Sequence, residues 1–171
     1  LLQEMTSDND GLAVCTLDLP LGQYYVKEIE EPKGYVLNEE IFALDASYQG
    51  DDVKVIELEA TFANYPTKLE ISKTDITGEY ELKGATLSII DKDGNVVETW
   101  KSDGETHYIE RIPVGEYILR EEAAPYGYKI ANEVKFTVEN TKVIQKVSMK
   151  DELVSGKIII EKTDEVTGKG I

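Results

Sequence analysis

One block of sequence occurs in two copies and begins a third time, so whatever unit this chain folds into must be built in tandem. Ser7-Asp8-Asn9-Asp10-Gly11 returns as Ser102-Asp103-Gly104, and Leu19-Pro20-Leu21-Gly22 returns as Ile112-Pro113-Val114-Gly115. Tyr24-Tyr25-Val26-Lys27-Glu28 with Pro32-Lys33-Gly34-Tyr35 returns as Tyr117-Ile118-Leu119-Arg120-Glu121 with Pro125-Tyr126-Gly127-Tyr128. The offset is 121 − 28 = 93 residues at the glutamate and 151 − 64 = 87 at the closing run, where Ala60 to Asn64 answers Val147 to Asp151. The opening run Ile71-Ser72-Lys73-Thr74-Asp75 returns as Ile160-Glu161-Lys162-Thr163-Asp164, an offset of 162 − 73 = 89. A period near ninety residues is that of a small domain. Residues 1–66 read as the latter part of one repeat without its opening strands, 67–152 as a complete repeat, and 153–171 as the opening strand of a third. Both ends read as cuts through a longer chain.

Within the repeat the runs are short, alternate apolar with polar, and are punctuated by turn residues, while no window carries a helical stripe. Asp91-Lys92-Asp93-Gly94-Asn95 predicts a hairpin, and Asp103-Gly104, Val114-Gly115 and Pro125-Tyr126-Gly127 predict further turns. Such strands at roughly ten-residue spacing make an all-β fold of tandem units, each a two-sheet sandwich or partly open barrel of immunoglobulin-like size. A content of 41% apolar residues is enough for β-rich cores.

Strand parity isolates three ionisable residues, because side chains two apart share a face. Leu69 and Ile71 lead to Lys73, Tyr117 and Leu119 lead to Glu121, and Val147 and Met149 lead to Asp151. The partial copies keep the pattern. Tyr24 and Val26 lead to Glu28, Leu58, Ala60 and Phe62 lead to Asn64, and Ile158 and Ile160 lead to Lys162. From parity alone these residues read as an ion pair, or as strand ends whose heads reach solvent. A one-residue slip would exchange them for Glu122, Glu152 or Asn140.

The I-S-K-T-D run, the L-K-G-A-T-L segment from Leu82 to Leu87, E-E-A-A-P-Y-G-Y and the closing V-S-M-K-D resemble the Cna B-type (SpaA-like, prealbumin-like) repeat of Gram-positive surface adhesins and pilins. The resemblance spans essentially the whole chain. It implies prealbumin-like β-sandwich repeats and an isopeptide bond between the lysine of the first strand and the Asp or Asn of the last, promoted by a glutamate on a middle strand. Here those residues are Lys73, Asp151 and Glu121, with Glu28, Asn64 and Lys162 in the partial copies. The chemistry is reasonable, since burial disfavours charge and a neutral buried amine is a nucleophile towards a protonated carboxyl. Strands that hold the partners together supply effective molarity and exclude the water that would reverse the reaction. Asn64 would release ammonia where Asp151 releases water.

The implied role is a structural stalk segment of a bacterial surface protein, extracellular, with neighbouring repeats as its partners and host matrix engaged through other domains. The second reading is a ligand-binding module for a matrix protein or glycan, using the surface around Ala46 to Val53. A single-turnover self-crosslink is not enzyme activity, and no nucleophile triad, phosphate loop or cofactor site can be assembled. A net charge of −16 argues against nucleic acid and anionic membrane surfaces. No run is long enough for a transmembrane helix. Cys15 reads as a small strand residue and His107 as a strand surface residue, while Asp91 to Asn95 lacks the distant bidentate glutamate of a calcium loop. Leu19-Pro20-Leu21-Gly22 lacks the threonine of a sortase motif, and Tyr65-Pro66-Thr67-Lys68 reads as an interdomain linker. Finally, the tail of one molecule, residues 153–171, is a candidate strand donor to the head of another, joining Lys162 to Asn64.

Overall fold

A computed structural model describes residues 1–170. Its elements are all strands: β1 (Gly22–Lys27), β2 (Tyr35–Val36), β3 (Ile41–Ala46), β4 (Tyr65–Pro66), β5 (Lys68–Asp75), β6 (Lys83–Asp91), β7 (Val96–Asp103), β8 (His107–Glu110), β9 (Gly115–Ala123), β10 (Val134–Val138) and β11 (Gln145–Asp151). They fall into two compact units, one of residues 1–31 and 37–64, the other of Pro32–Val36 and Tyr65 onward.

The second unit is a sandwich. A four-stranded sheet in the order β10-β9-β6-β7 faces its interior with Leu87, Ile89, Tyr117, Leu119 and Val138. A three-stranded sheet in the order β11-β5-β8 supplies Leu69, Ile71 and Met149 to the same core. The period-2 alternation explains the layering, because each strand gives one face to the interior and the other to solvent. The Asp91–Asn95 turn joins β6 to β7, with the Asp91 carboxylate accepting from the backbone amides of Asp93 and Asn95 at 2.9 and 2.8 Å. That carboxylate is occupied in closing its own hairpin. Strands β5 and β11, the first and last of the sandwich, lie side by side and parallel, with Leu69 opposite Gln145, Lys73 opposite Met149 and Asp75 opposite Asp151. Short loops cannot join parallel neighbours, and here the whole sandwich is the crossover between them.

The first unit has one antiparallel pair, β1 with β3, placing Val26 opposite Phe42 and Tyr24 opposite Leu44. Phe42 meets Phe62 edge-on at 4.7 Å between ring centres. Residues 56–64 keep a strict alternation of half-buried and exposed side chains, yet they are assigned to no strand. The same holds for the tail. Ile158, Ile159 and Ile160 are 88%, 70% and 83% exposed, and residues 154–162 form no ladder. The sequence predicts strands in both places. A strand needs a neighbour to take its amides and carbonyls, and alternation alone does not supply one.

Two further expectations change. Pro32–Val36, expected to stay with the first repeat, packs in the second unit: β2 pairs with β4, and the Thr67 amide donates to the Gly34 carbonyl at 3.1 Å. The second copy of that turn repeats the arrangement, with Tyr128 bridging to Leu153 and the Val154 amide donating to the Gly127 carbonyl at 2.8 Å. Cys15 lies exposed outside any strand, its thiol donating to Gln3 Oε1 at 3.1 Å.

Candidate self-crosslinking site

Three strands converge on one buried cluster. Lys73 near the end of β5, Glu121 on β9 and Asp151 at the end of β11 are 2%, 4% and 1% exposed. Each follows two core residues of its own strand, so each is carried inward by the same alternation that builds the hydrophobic layer. The candidates for a slipped register, Glu122, Asn140 and Glu152, are exposed. Lys73 Nζ donates to Asp151 Oδ1 in a short contact and lies 2.9 Å from Glu121 Oε1. The amine is therefore in contact with one oxygen from each acid.

Backbone contacts hold these groups in place. Glu121 Oε2 accepts from the Ala131 amide at 2.7 Å, and the Lys73 amide donates to Glu81 Oε2 at 2.9 Å. The first anchors the acid, the second the strand that carries the amine. Asp151 Oδ2 is buried without a hydrogen-bond partner among the described residues. Burial pushes the Asp151 carboxyl above the usual aspartate range, outweighing the lysine that pulls it down. Two acids and one base sharing a dry interior cannot all be charged without leaving a net charge buried, so a proton must be shared among them.

The raised Asp151 value sets a sign. Its folded state binds the proton more tightly than the unfolded chain, so the contribution is full below the unfolded value and is lost as pH climbs through the folded one. A Lys73→Met variant removes the groups that lower the Asp151 value and keeps its burial. Its thermal midpoint should fall as pH rises above about 4, the ordinary aspartate value. A midpoint that rises with pH over this range would contradict the assignment.

The first unit carries a related pair. Asn64 Nδ2 donates to both oxygens of Glu28, at 2.9 and 2.8 Å, and Glu28 Oε2 accepts from the Asn38 amide at 2.6 Å. The anchoring amides keep the spacing of the glutamates, since 131 − 38 = 93 and 121 − 28 = 93. Lys162 is exposed in the tail. The amides of Ala131 and Asn38 escaped the sequence reading, because every residue but proline carries one. The shared offset was the signal that could have found them.

The remaining expectations concern residues outside the cluster. His107 is half-buried on β8, stacked on Trp100 at 4.2 Å between ring centres, and its Nε2 lies 2.7 Å from Glu98 Oε1. Among the described residues no group of three His, Cys, Asp or Glu side chains is placed to hold a metal. In the segment proposed for ligand binding, Ala46 is buried, and the exposed Tyr48 commits its hydroxyl to Asp51.

Comparison with known proteins identifies the fold. The family model of the SpaA prealbumin-like fold domain matches residues 1–60 and again residues 67–153. No curated protein sequence matches the chain. Among solved structures, the Bacillus anthracis TIE protein aligns with 89% of this chain and 29% of its own at 29% identity, with a TM-score of 0.53. GBS52, the minor pilin of Streptococcus agalactiae, aligns with 92% of this chain and 71% of its own at 20% identity and a TM-score of 0.47. For BcpA, the major pilin subunit of Bacillus cereus, the figures are 49%, 28%, 22% and 0.44. The chain thus spans under a third of the TIE protein. With one model matching both copies of the repeat, this chain belongs to the SpaA prealbumin-like fold domain family.

Proposed function

We propose that this chain is a load-bearing stalk segment of a Gram-positive surface protein of the pilin or adhesin type, and that its complete domain locks itself with an isopeptide bond from Lys73 to Asp151. The observation that supports the bond is the contact of a buried amine near the end of the first strand with a buried acid at the end of the parallel last strand and with a second buried acid on β9. Membership of the SpaA prealbumin-like fold domain family supports the setting.

The reaction follows from the environment. Proton transfer within the Lys73–Asp151 pair converts ammonium and carboxylate into amine and acid, the forms a dry interior favours. Nζ attacks Cγ of Asp151, a C–N bond forms, a C–O bond breaks, and the hydroxyl departs with an amine hydrogen as water. Glu121, beside the amine at 2.9 Å, takes the proton from the attacking nitrogen and returns it to the leaving oxygen. The product amide carries no charge to bury. The bond forms once per domain, so Glu121 acts as an internal catalyst without turnover.

Its consequence is mechanical and thermal. Tension entering at the start of β5 passes through the Lys73 side chain to Asp151 and out, leaving the intervening strands unloaded. Closing a loop of 78 residues stabilises by about 4.5 kcal/mol through the entropy of the unfolded chain. Proteolysis of the unfolded protein should yield a branched peptide joining Lys73 to Asp151, absent from a Glu121→Gln variant. Two separate linear peptides from the parent would contradict the bond.

A further inference from the structure

We propose that Glu81 is a positioning residue for the Lys73–Asp151 bond: its carboxylate clamps the backbone of Lys73 to the crossovers between the two sheets and so sets how closely the amine approaches Glu121. The proposal rests on the self-locking reaction assigned above to Lys73, Asp151 and Glu121.

The clamp is needed where β8 stops. Strands β5 and β8 pair from Lys68 opposite Glu110 to Ile71 opposite His107. Two residues further along, the same ladder would place Glu105 opposite Lys73. The chain turns away instead, and the Glu105 amide donates to Asp103 Oδ1 at 3.0 Å. The amide and carbonyl of a strand residue point to one edge, so both groups of Lys73 lose their partner strand at a residue that is 2% exposed. Glu81 and Leu82 take the vacated place. The Lys73 amide donates to Glu81 Oε2 at 2.9 Å, and the Lys73 carbonyl accepts from the Leu82 amide at 2.7 Å. One residue on, Thr74 bridges to Glu81, and the Asp75 amide donates to the Tyr80 carbonyl at 3.1 Å.

The other carboxylate oxygen reaches a second segment, since Glu81 Oε1 accepts from Thr106 Oγ1 at 3.2 Å. Residues 76–82 cross from β5 in the three-stranded sheet to β6 in the four-stranded sheet, and residues 104–106 cross back from β7 to β8. One half-buried side chain therefore ties both crossovers to the strand that carries the amine. A carboxylate suits this place, because it accepts from several donors at once and its charge strengthens each bond.

The consequence falls on one of the two contacts of the amine. Lys73 and Asp151 lie on neighbouring strands of one sheet, and the β5–β11 ladder brings them together without help. Lys73 and Glu121 lie on different sheets, so their 2.9 Å contact depends on how the sheets are held at this level. Strand β6 begins at Lys83, directly after the clamp, and pairs with β9 so that Leu87 stands opposite Glu121. Glu81 thus fixes the strand of the nucleophile against the sheet of the proton carrier. Without it the amine keeps its electrophile but meets Glu121 less often, and the proton transfer that completes the reaction slows. Glu81 touches no reacting atom; it acts through the backbone of Lys73.

The test follows the loss of water with time. Full-length chains made in a short pulse of cell-free synthesis are unfolded at intervals and weighed by high-resolution mass spectrometry. Glu81→Ala should close about tenfold more slowly than the parent, whereas Glu81→Gln, which keeps an acceptor for the Lys73 amide, should stay within about twofold of it. Ile89→Val, a truncation in the core of β6, separates positioning from general loosening and should close at the parental rate. A parental rate in Glu81→Ala, or an equal slowing in Ile89→Val, overturns the assignment. If amide spectra show that Glu81→Ala does not fold, Thr106→Val carries the test. It removes an exposed hydroxyl and one arm of the clamp, and it should slow closure about threefold; a parental rate there overturns the inference. A parent that never loses water removes the bond and the inference together. A parent that closes while the Glu81 and Thr106 variants keep pace with it confines the failure to the clamp.

Discussion

Stretched end to end in a single-molecule pulling experiment, a Glu121→Gln chain should lengthen by about 270 Å more than the parent when the complete domain gives way, since 78 residues at about 3.5 Å each are released from tension in the parent and not in the variant. The argument rests on topology. Strands β5 and β11 are parallel neighbours, and Lys73 and Asp151 lie towards the C-terminal ends of both. Force applied at the start of β5 and the end of β11 would ordinarily shear their ladder and then unravel the sandwich between them. The proposed covalent link at Lys73 would carry the force across before it reaches β6. Glutamine keeps the shape of residue 121 and its acceptor for the Ala131 amide, but it cannot shuttle a proton. Equal extension in parent and variant would show that no such bypass exists.

Gly34→Ala should speed hydrogen exchange at the Thr67 amide by roughly a hundredfold, equivalent to about 3 kcal/mol of lost local stability. Gly34 has a φ of 84°, and a Cβ there would sit 2.3 Å from the carbonyl oxygen of Arg111 and 2.8 Å from its Cα. Neither is a flexible side chain that could turn aside. The Gly34 carbonyl accepts from the Thr67 amide at 3.1 Å and shares the Thr67 hydroxyl proton with the Ile112 carbonyl, at 3.1 and 2.5 Å respectively, and the Arg111 amide donates to the Thr67 carbonyl at 3.0 Å. Displacing Pro32–Val36 would break the two bonds at Gly34 and the packing of the Arg111 guanidinium over the Tyr35 ring. The left-handed backbone adds about 1 kcal/mol, and each hydrogen bond about 1 kcal/mol more. Gly127 is the internal control. Its φ is 87°, but nothing lies within 4 Å of the added methyl, so Gly127→Ala should carry only the backbone cost. Equal effects at the two glycines would contradict the steric account.

The interior of the complete domain was legible because its signal is local. Alternation over five residues carries Lys73, Glu121 and Asp151 to the same side as Ile71, Leu119 and Met149, and the repeat marks their counterparts. The pairing of strands was less legible. Nothing in the composition of residues 56–64 or 157–164 separates them from runs that form ladders, because the difference lies in the neighbour and not in the strand. The docking of Pro32–Val36 in the second unit was hidden for a similar reason, since it depends on the room that Gly34 leaves beside Arg111. The backbone amides that orient Glu28 and Glu121 have no side-chain signature at all.

High-resolution intact mass of the unfolded protein is the most direct test of the self-locking domain. The parent monomer should be lighter than its sequence mass by one water, and the Glu121→Ala variant should show the full sequence mass. A correctly folded parent at its full sequence mass would contradict the covalent bond and leave Lys73, Glu121 and Asp151 as a buried ion cluster in an uncrosslinked sandwich.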